Sequence, residues 1–181
     1  HMEYGYSCMG YEIAGGLGVK LAHPEREVIV MVGDGSYMMM NSEIATSVML
    51  GQKLIIVVQD NRGYGCINRL QQSCGSPSFN NMLDTCVPVN GADVPIDFAA
   101  HAASMGAIAK HVHSVDELKA ELIQARANTR TTVLVIDTNP NATTADGGSW
   151  WEVAVPEVSS RSEVNQAHAR YVSDKQNLQK R

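Results

Sequence analysis

Two uninterrupted apolar runs constrain the fold more than any other feature of this chain. Val28-Ile29-Val30-Met31-Val32 and Leu54-Ile55-Ile56-Val57-Val58 carry no polar alternation that would leave one face of a strand to water. Strands of this composition belong in a parallel sheet with both faces covered by helices. Each run stops at small, acidic or amide residues: Gly33-Asp34-Gly35-Ser36 after the first, Asp60-Asn61 after the second. Ligands of open α/β sheets bind outside the carboxyl ends of strands, so these two tips are where chemistry is expected.

The segments between and around the runs complete an α/β rhythm. Small and apolar residues recur at helical spacing from Gly10 to about Ala22, ahead of His23-Pro24. Gly15, Gly16 and Gly18 fall inside that helix and would weaken it unless close packing requires them. Gly33-Asp34-Gly35-Ser36 reads as a loop, and a helix from about 41 to 50 follows it, opened by Asn41-Ser42-Glu43 and closed by Gly51. Residues 62–96 hold no sustained period beyond a turn or two around Cys66 to Gln72. So long an irregular stretch usually covers a site or contacts a partner. Asp97 can cap a helix through Ser104, Ile108–Val112 forms a short strand, and Ser114 with Glu117 has capping-box spacing for a helix to about Asn128. Thr132–Asp137 is a further buried strand, residues 138–158 read as a loop carrying Trp150 and Trp151, and 159–178 as a polar terminal helix.

The expected architecture is therefore an α/β fold: a three-layer, open, mostly parallel sheet with helices on both faces. Residues 1–138 form its core, and 139–181 form a Trp-containing loop and helix packed on it or against parts outside the chain. The abrupt start, a helix with no strand before it, suggests a fragment that lacks the first strand of its sheet.

Composition narrows the function classes. With 44% hydrophobic and 18% charged residues, the 181-residue chain can bury a core and is not disordered. The formal net charge of −5, with no basic block, argues against nucleic acid or an anionic membrane as a partner. No run approaches a membrane span. Cys8, Cys66, Cys74 and Cys86 form no C-x-x-C pair and no apolar secretory segment opens the chain, so reduced thiols in the cytoplasm are expected.

Asp34 and Asn61 stand 27 positions apart, the length of one crossover helix and one strand, so adjacent parallel strands would bring both to one sheet edge. Their oxygens suit a hard divalent cation such as Mg²⁺, which takes about six oxygens, some from phosphate and water. A backbone carbonyl in Asn61-Arg62-Gly63-Tyr64-Gly65 is the natural extra protein ligand, and Gly63 is exposed enough to supply it. Gly35 and Ser36 precede a helix and could present exposed N–H groups to an anionic diphosphate. Gly-Asp-Gly alone reads more readily as a plain turn after a strand; Asn61 at the next strand end is what favours the ligand reading.

Gly33-Asp34-Gly35-Ser36, followed by Asp60-Asn61-Arg62-Gly63-Tyr64-Gly65, resembles the signature of thiamine-diphosphate-dependent enzymes. Ser7-Cys8-Met9-Gly10 resembles the segment which that family sets against the aminopyrimidine ring. The likeness implies Asp34, Asn61 and the Gly63 carbonyl as Mg²⁺ ligands and Gly35 with Ser36 as the diphosphate cradle. It further implies Met9 as the apolar wedge that bends the cofactor, the Ser7 carbonyl as acceptor from its amino group, and Tyr64 and Gly65 beside the cofactor. Tyr4-Gly5-Tyr6-Ser7-Cys8-Met9-Gly10-Tyr11-Glu12 and Ala145-Asp146-Gly147-Gly148-Ser149-Trp150-Trp151 resemble more specifically the members that open a cyclic 1,2-dione to a deoxy-hexuronic acid in inositol catabolism. What this implies is a C–C bond hydrolase whose pyrimidine-binding and middle domains, and activating glutamate, lie outside the chain, and which works as a dimer or tetramer. Glu12 and Glu43 sit in motif-flanking helices and are not assigned that glutamate's role, so the chain alone is expected to be inactive. An acetolactate-synthase-like carboligase and a non-enzymatic, flavodoxin-like assembly domain are the competing readings.

The remaining residues invite plainer interpretations. Tyr64 is as readily a packed tyrosine as a pocket residue. His101, His111 and His113 lack convincing ligand spacing, although His111 and His113 would share a strand face. The cysteines of the 62–96 segment have no defined base and read as inert.

Overall fold

A computed structural model of the chain describes residues 8–86, 96–142 and 153–178, which group into two compact units. The first comprises residues up to Gly63 together with Ala92–Asn139, and the second Tyr64–Gly91 with Pro140–Arg181. Residues 64–91, placed with the first block by the sequence reading, thus group with 140–181. Trp150 and Trp151 lie outside the described residues.

In the first unit, helix α1 (Glu12–Ala22) leads into strand β1 (Ile29–Gly33), the short helix α2 (Asp34–Met39), helix α3 (Glu43–Met49) and strand β2 (Ile55–Asp60). The second unit contributes α4 (Gly65–Ser73) and a 3₁₀ turn (Leu83–Thr85) before the chain returns to the first. There α5 (Phe98–Ser104), β3 (Ile108–Val112), α6 (Val115–Ala127) and β4 (Thr132–Asp137) follow. Helix α7 (Ser162–Leu178) belongs to the second unit.

The four strands form one all-parallel sheet in the order β1-β2-β4-β3. Val30 pairs with Ile56, which pairs with Val133, so alternate residues of three strands stack on one face. That face, with Val32, Val58 and Val135, packs on Ile13 and Leu17 of α1, Tyr37 of α2, Ile44 of α3, and Phe98 and Ala102 of α5. The residues in between, Ile55, Val57 and Leu134, are also buried, and α6 runs along β2, β3 and β4 with Ala125 fully buried. The run in β2 is buried on both sheet faces, as expected, whereas β1, at the edge of the sheet, buries Val30 and Val32 on one face and leaves Ile29 and Met31 45% and 62% exposed on the other, which corrects the reading of its apolar run. Among the described residues no helix is long and apolar enough to cross a membrane.

Three local features differ from expectation. Asp34-Gly35-Ser36, read as loop, instead begin a helix that runs from the first residue after β1 to Met39. A six-residue segment that opens Asp-Gly-Ser has little intrinsic helicity; tertiary burial holds it, because Tyr37 is completely buried. Its ring meets Phe98 edge-on at 5.5 Å and its hydroxyl lies 2.9 Å from His101 Nδ1. Burial pushes the Tyr37 phenol up to about 12, so it remains a neutral hydrogen-bonding group. Second, the irregular stretch contains the nine-residue α4, longer than a turn or two. Gly75 ends it with φ +84°, and a Cβ there would stand 2.4 Å from the Glu163 carbonyl oxygen. Third, the Ser114 hydroxyl accepts from the Glu117 N–H as a cap should, but the Glu117 carboxylate reaches back to the His113 N–H and not to that of Ser114.

The glycines of α1 divide by packing. A Cβ at Gly16 would lie 2.4 Å from Val30 Cγ2, so helix and strand approach too closely for a side chain. At Gly18 nothing lies within 4 Å. Gly16→Ala is expected to destabilise the chain by about 1–3 kcal/mol through overpacking, whereas Gly18→Ala should stabilise it by about 0.5–1 kcal/mol through helix propensity. Urea denaturation of the two variants reads the difference, and equal responses would mean that α1 does not press on β1 at Gly16.

Candidate cofactor and metal site

The tips of β1 and β2 are neighbours because Gly33 pairs with Gln59 in parallel register. Asp34 is the first residue past β1, and Asn61-Arg62-Gly63 the first three past β2, so the topology alone brings them together. The Asp34 carboxylate bridges the gap: Oδ1 accepts from the Asn61 N–H at 3.3 Å and Oδ2 from the Gly63 N–H at 2.6 Å. At 2% exposure Asp34 is inside the protein, and among the described residues no basic side chain forms an ion pair with it. Burial, reinforced by the nearby Asp60 charge, holds its carboxyl above the usual value, with the two backbone donors opposing.

The 61–63 turn has its own anchor. Asp60, 3% exposed, accepts from the Arg62 N–H at 2.8 Å and pairs with the Arg62 guanidinium at 3.1 Å. Its carbonyl accepts from the Thr138 N–H at 2.7 Å. This clamp holds Arg62 in the left-handed region at φ +64°, with Gly63 at φ +147°. Sequence reasoning gave Asp60 no role; the available signal was an aspartate two residues before a turn position, where it can bond its own backbone.

The Asn61 side-chain amide completes the corner. One of its two terminal atoms reaches to 2.8 Å from the Gly63 carbonyl oxygen and 3.2 Å from Asp34 Oδ1. With the nitrogen in that place the amide donates to both. With the oxygen there, three oxygens crowd one point, an arrangement that requires a cation among them. Separations of this size are those between neighbouring ligands of a cation with bonds of about 2.1 Å, since adjacent octahedral ligands then stand about 3.0 Å apart. The donor set, one carboxylate, one amide and one main-chain carbonyl, is all oxygen and fits a hard divalent ion.

Gly35 and Ser36 occupy the first turn of α2, where backbone N–H groups have no partner within the helix. They were expected to be exposed; both are buried, because Tyr37 draws that turn into the core. Ser36 Oγ lies 3.3 Å from the Gly10 N–H, which donates to it. Gly10, at φ +91°, sits so close to α2 that a Cβ would meet Met39 Cβ at 3.0 Å. Met9, partly exposed, is thereby carried beside α2. Ser7 lies outside the described residues, and Tyr64 and Gly65 belong to the second unit.

A domain with these strand tips over an all-parallel sheet belongs to a recognisable class. The family profile described as thiamine pyrophosphate enzyme, C-terminal TPP binding domain, matches residues 1–136, and the chain belongs to that family. Its cofactor is accordingly thiamine diphosphate. Among curated proteins the chain is 46% identical over 180 residues to a 3D-(3,5/4)-trihydroxycyclohexane-1,2-dione hydrolase of Bacillus cereus (strain AH820), covering 97% of this chain and 28% of the relative. A second hydrolase of that name, from Bacillus thuringiensis (strain Al Hakam), is 44% identical over 180 residues, with 97% and 28% covered. The chain therefore spans little more than a quarter of the length of these relatives. Among solved structures, benzoylformate decarboxylase from Polynucleobacter necessarius superposes with a TM-score of 0.56 at 26% identity, over 74% of this chain and 24% of that one. A thiamine diphosphate-dependent 4-hydroxybenzoylformate decarboxylase from Rhodococcus jostii gives the same score at 24% identity over 72% and 23%, a likeness of fold.

The raised Asp34 carboxyl has a consequence for stability. Its folded-state value lies above the unfolded value near 3.8, so the native state keeps the proton longer. Its contribution to stability is then present below the unfolded value and falls as pH rises through the folded one. Asp34→Asn should remove that part of the pH dependence in metal-free buffer, measured by urea denaturation at a series of pH values. Identical pH slopes for the two proteins would mean that Asp34 does not carry the buried charge.

Proposed function

We propose that the chain binds thiamine diphosphate through Mg²⁺ held by Asp34, the Asn61 side-chain oxygen and the Gly63 carbonyl. The observation that carries this reading is the Asn61 side-chain amide, one terminal atom of which stands 2.8 Å from the Gly63 carbonyl oxygen and 3.2 Å from Oδ1 of Asp34, a buried carboxylate that has no ion-pair partner among the described side chains. A cation there satisfies Asp34 and lets the Asn61 amide present its oxygen. Backbone N–H groups of Gly35 and Ser36, at the positive end of α2, bind the diphosphate. Met9 supports the cofactor rings as an apolar, adaptable side chain, and the Ser7 carbonyl accepts from the aminopyrimidine. These last roles rest on the motif positions. Thiamine diphosphate supplies an electron sink for breaking a C–C bond beside a carbonyl; the chain supplies position and charge.

The substrate class is a cyclic 1,2-dione, opened by water in inositol catabolism. What supports it is identity with the named hydrolases over nearly the whole chain. The reaction requires pyrimidine-binding and middle domains in the same long polypeptide, an activating glutamate among them, and assembly as a dimer or tetramer, so the 181 residues alone are inactive. The enzyme works in the cytoplasm, a reading supported by four free cysteines among the described residues.

Calorimetry on the parent-length enzyme tests the cofactor site. Thiamine diphosphate affinity should depend on Mg²⁺, and Asp34→Ala should weaken the Mg²⁺-dependent binding by more than about tenfold. Unchanged binding in the variant would remove Asp34 from the metal. Incubating the same enzyme with the dione tests the substrate: an acyclic acid formed with water supports the hydrolase, whereas a ligated product from a second ketoacid, with the dione untouched, would replace it by a carboligase.

A further inference from the structure

The sheet presents a second group of ligating side chains at the carboxyl ends of β3 and β4. His111 pairs in register with Val135, so the strand alternation puts His111 and, two residues on, His113 on the side of the sheet that also bears Asp137, two residues past Val135. The side chains meet. His111 Nε2 is 3.0 Å from Asp137 Oδ1, and the two imidazole rings stand 4.7 Å apart between centroids. One ligand atom from each of the three residues lies within 4.8 Å of the others, and among the described residues this is the one such group of three. Sequence spacing within β3 supplies only two of the ligands. The third comes from the neighbouring strand, which is why the histidines alone gave no convincing pattern.

We propose that His111, His113 and Asp137 form a surface site for a divalent transition-metal ion of the Zn²⁺, Co²⁺ or Ni²⁺ type. Bonds of about 2.0–2.2 Å from imidazole nitrogen and carboxylate oxygen place adjacent ligands about 2.8–3.6 Å apart, from octahedral to tetrahedral geometry. His111 and Asp137 already stand at that spacing, and rotation of the exposed His113 ring brings in the third. Both backbones are fixed from outside the cluster. The His113 N–H donates to the Glu117 carboxylate, itself tied to the start of α6 by the Ser114 cap. The Thr138 N–H, next to Asp137, donates to the Asp60 carbonyl. Two imidazoles and one carboxylate leave coordination positions to solvent, and they favour borderline metals over Mg²⁺. The site is therefore chemically distinct from the all-oxygen corner at Asp34, and it does not rest on the cofactor reading.

Isothermal titration of the 181-residue chain with Zn²⁺, after stripping with a chelator, tests the proposal. A parallel titration with Co²⁺ is read by visible absorption, because thiolate ligation would add an intense near-ultraviolet charge-transfer band. The expected result is one equivalent bound, no thiolate band, insensitivity to excess Mg²⁺, and weakening by more than about tenfold in each of His111→Ala, His113→Ala and Asp137→Asn. His113→Ala and Asp137→Asn change exposed side chains, and unchanged far-ultraviolet circular dichroism verifies that the variants are folded. Absence of metal uptake, a thiolate band carrying the bound equivalent, or undiminished affinity in the folded variants would each overturn the site.

Discussion

The Asp34 carboxylate joins the ends of two parallel strands, and the local architecture is arranged around it. Two backbone N–H groups from the turn after β2 donate to its oxygens, so the turn cannot shift without breaking a buried charge-assisted bond. A buried carboxylate met by neutral donors alone is costly, as the upward displacement of its proton affinity records. That cost makes sense if the pocket is incomplete as protein: a cation at the Asn61–Gly63 corner supplies the charge that no described side chain provides. Asp60, equally buried, shows the alternative solution, since Arg62 is at hand to pair with it. Two neighbouring carboxylates thus differ: Asp60 is paired with Arg62 within its turn, and Asp34 has no ion-pair partner among the described side chains.

The scaffold that fixes this geometry is apolar and closely packed. The face formed by Val30, Ile56 and Val133 carries α1, α3 and α5, and Gly16 lets α1 come down on Val30 where a methyl group would not fit. Tyr37 pins α2 by burial against Phe98 and by its contact with His101. The first turn of α2, whose N–H groups are proposed to meet the diphosphate, is therefore held by the burial of the adjoining Tyr37. Preorganisation of this kind lowers the ordering cost of binding.

Much of the fold was legible because the informative residues are continuous in sequence. The apolar runs at 28–32 and 54–58 and the segment 132–137 needed no long-range information to read as parallel strands, although the edge position that exposes Ile29 and Met31 of the first was not legible, and Asp97 and Ser114 marked helix starts through their own side chains. The strand tips at Asp34 and Asn61 were legible for the same reason, once adjacent parallel strands were assumed. What was not legible depended on contacts between distant segments. Helix α2 forms in a glycine-containing stretch because Tyr37 is buried by α5; the Asp60 clamp acts through its own turn and Thr138; and Asp137 reaches His111 across a strand pair. Helix α4 was underestimated because few apolar residues mark it, and its end is set by Gly75 against the backbone of α7.

The central claim is that three oxygens from two strand ends share one cation beneath a diphosphate. Anomalous diffraction from crystals of the parent-length enzyme grown with thiamine diphosphate and Mn²⁺ in place of Mg²⁺ addresses it without reference to activity. The account predicts one strong peak about 2.1–2.2 Å from an Asp34 carboxylate oxygen, the Asn61 side-chain oxygen and the Gly63 carbonyl. A bound cofactor with its manganese held by other residues, and the Asn61 nitrogen still donating to Gly63, would contradict it.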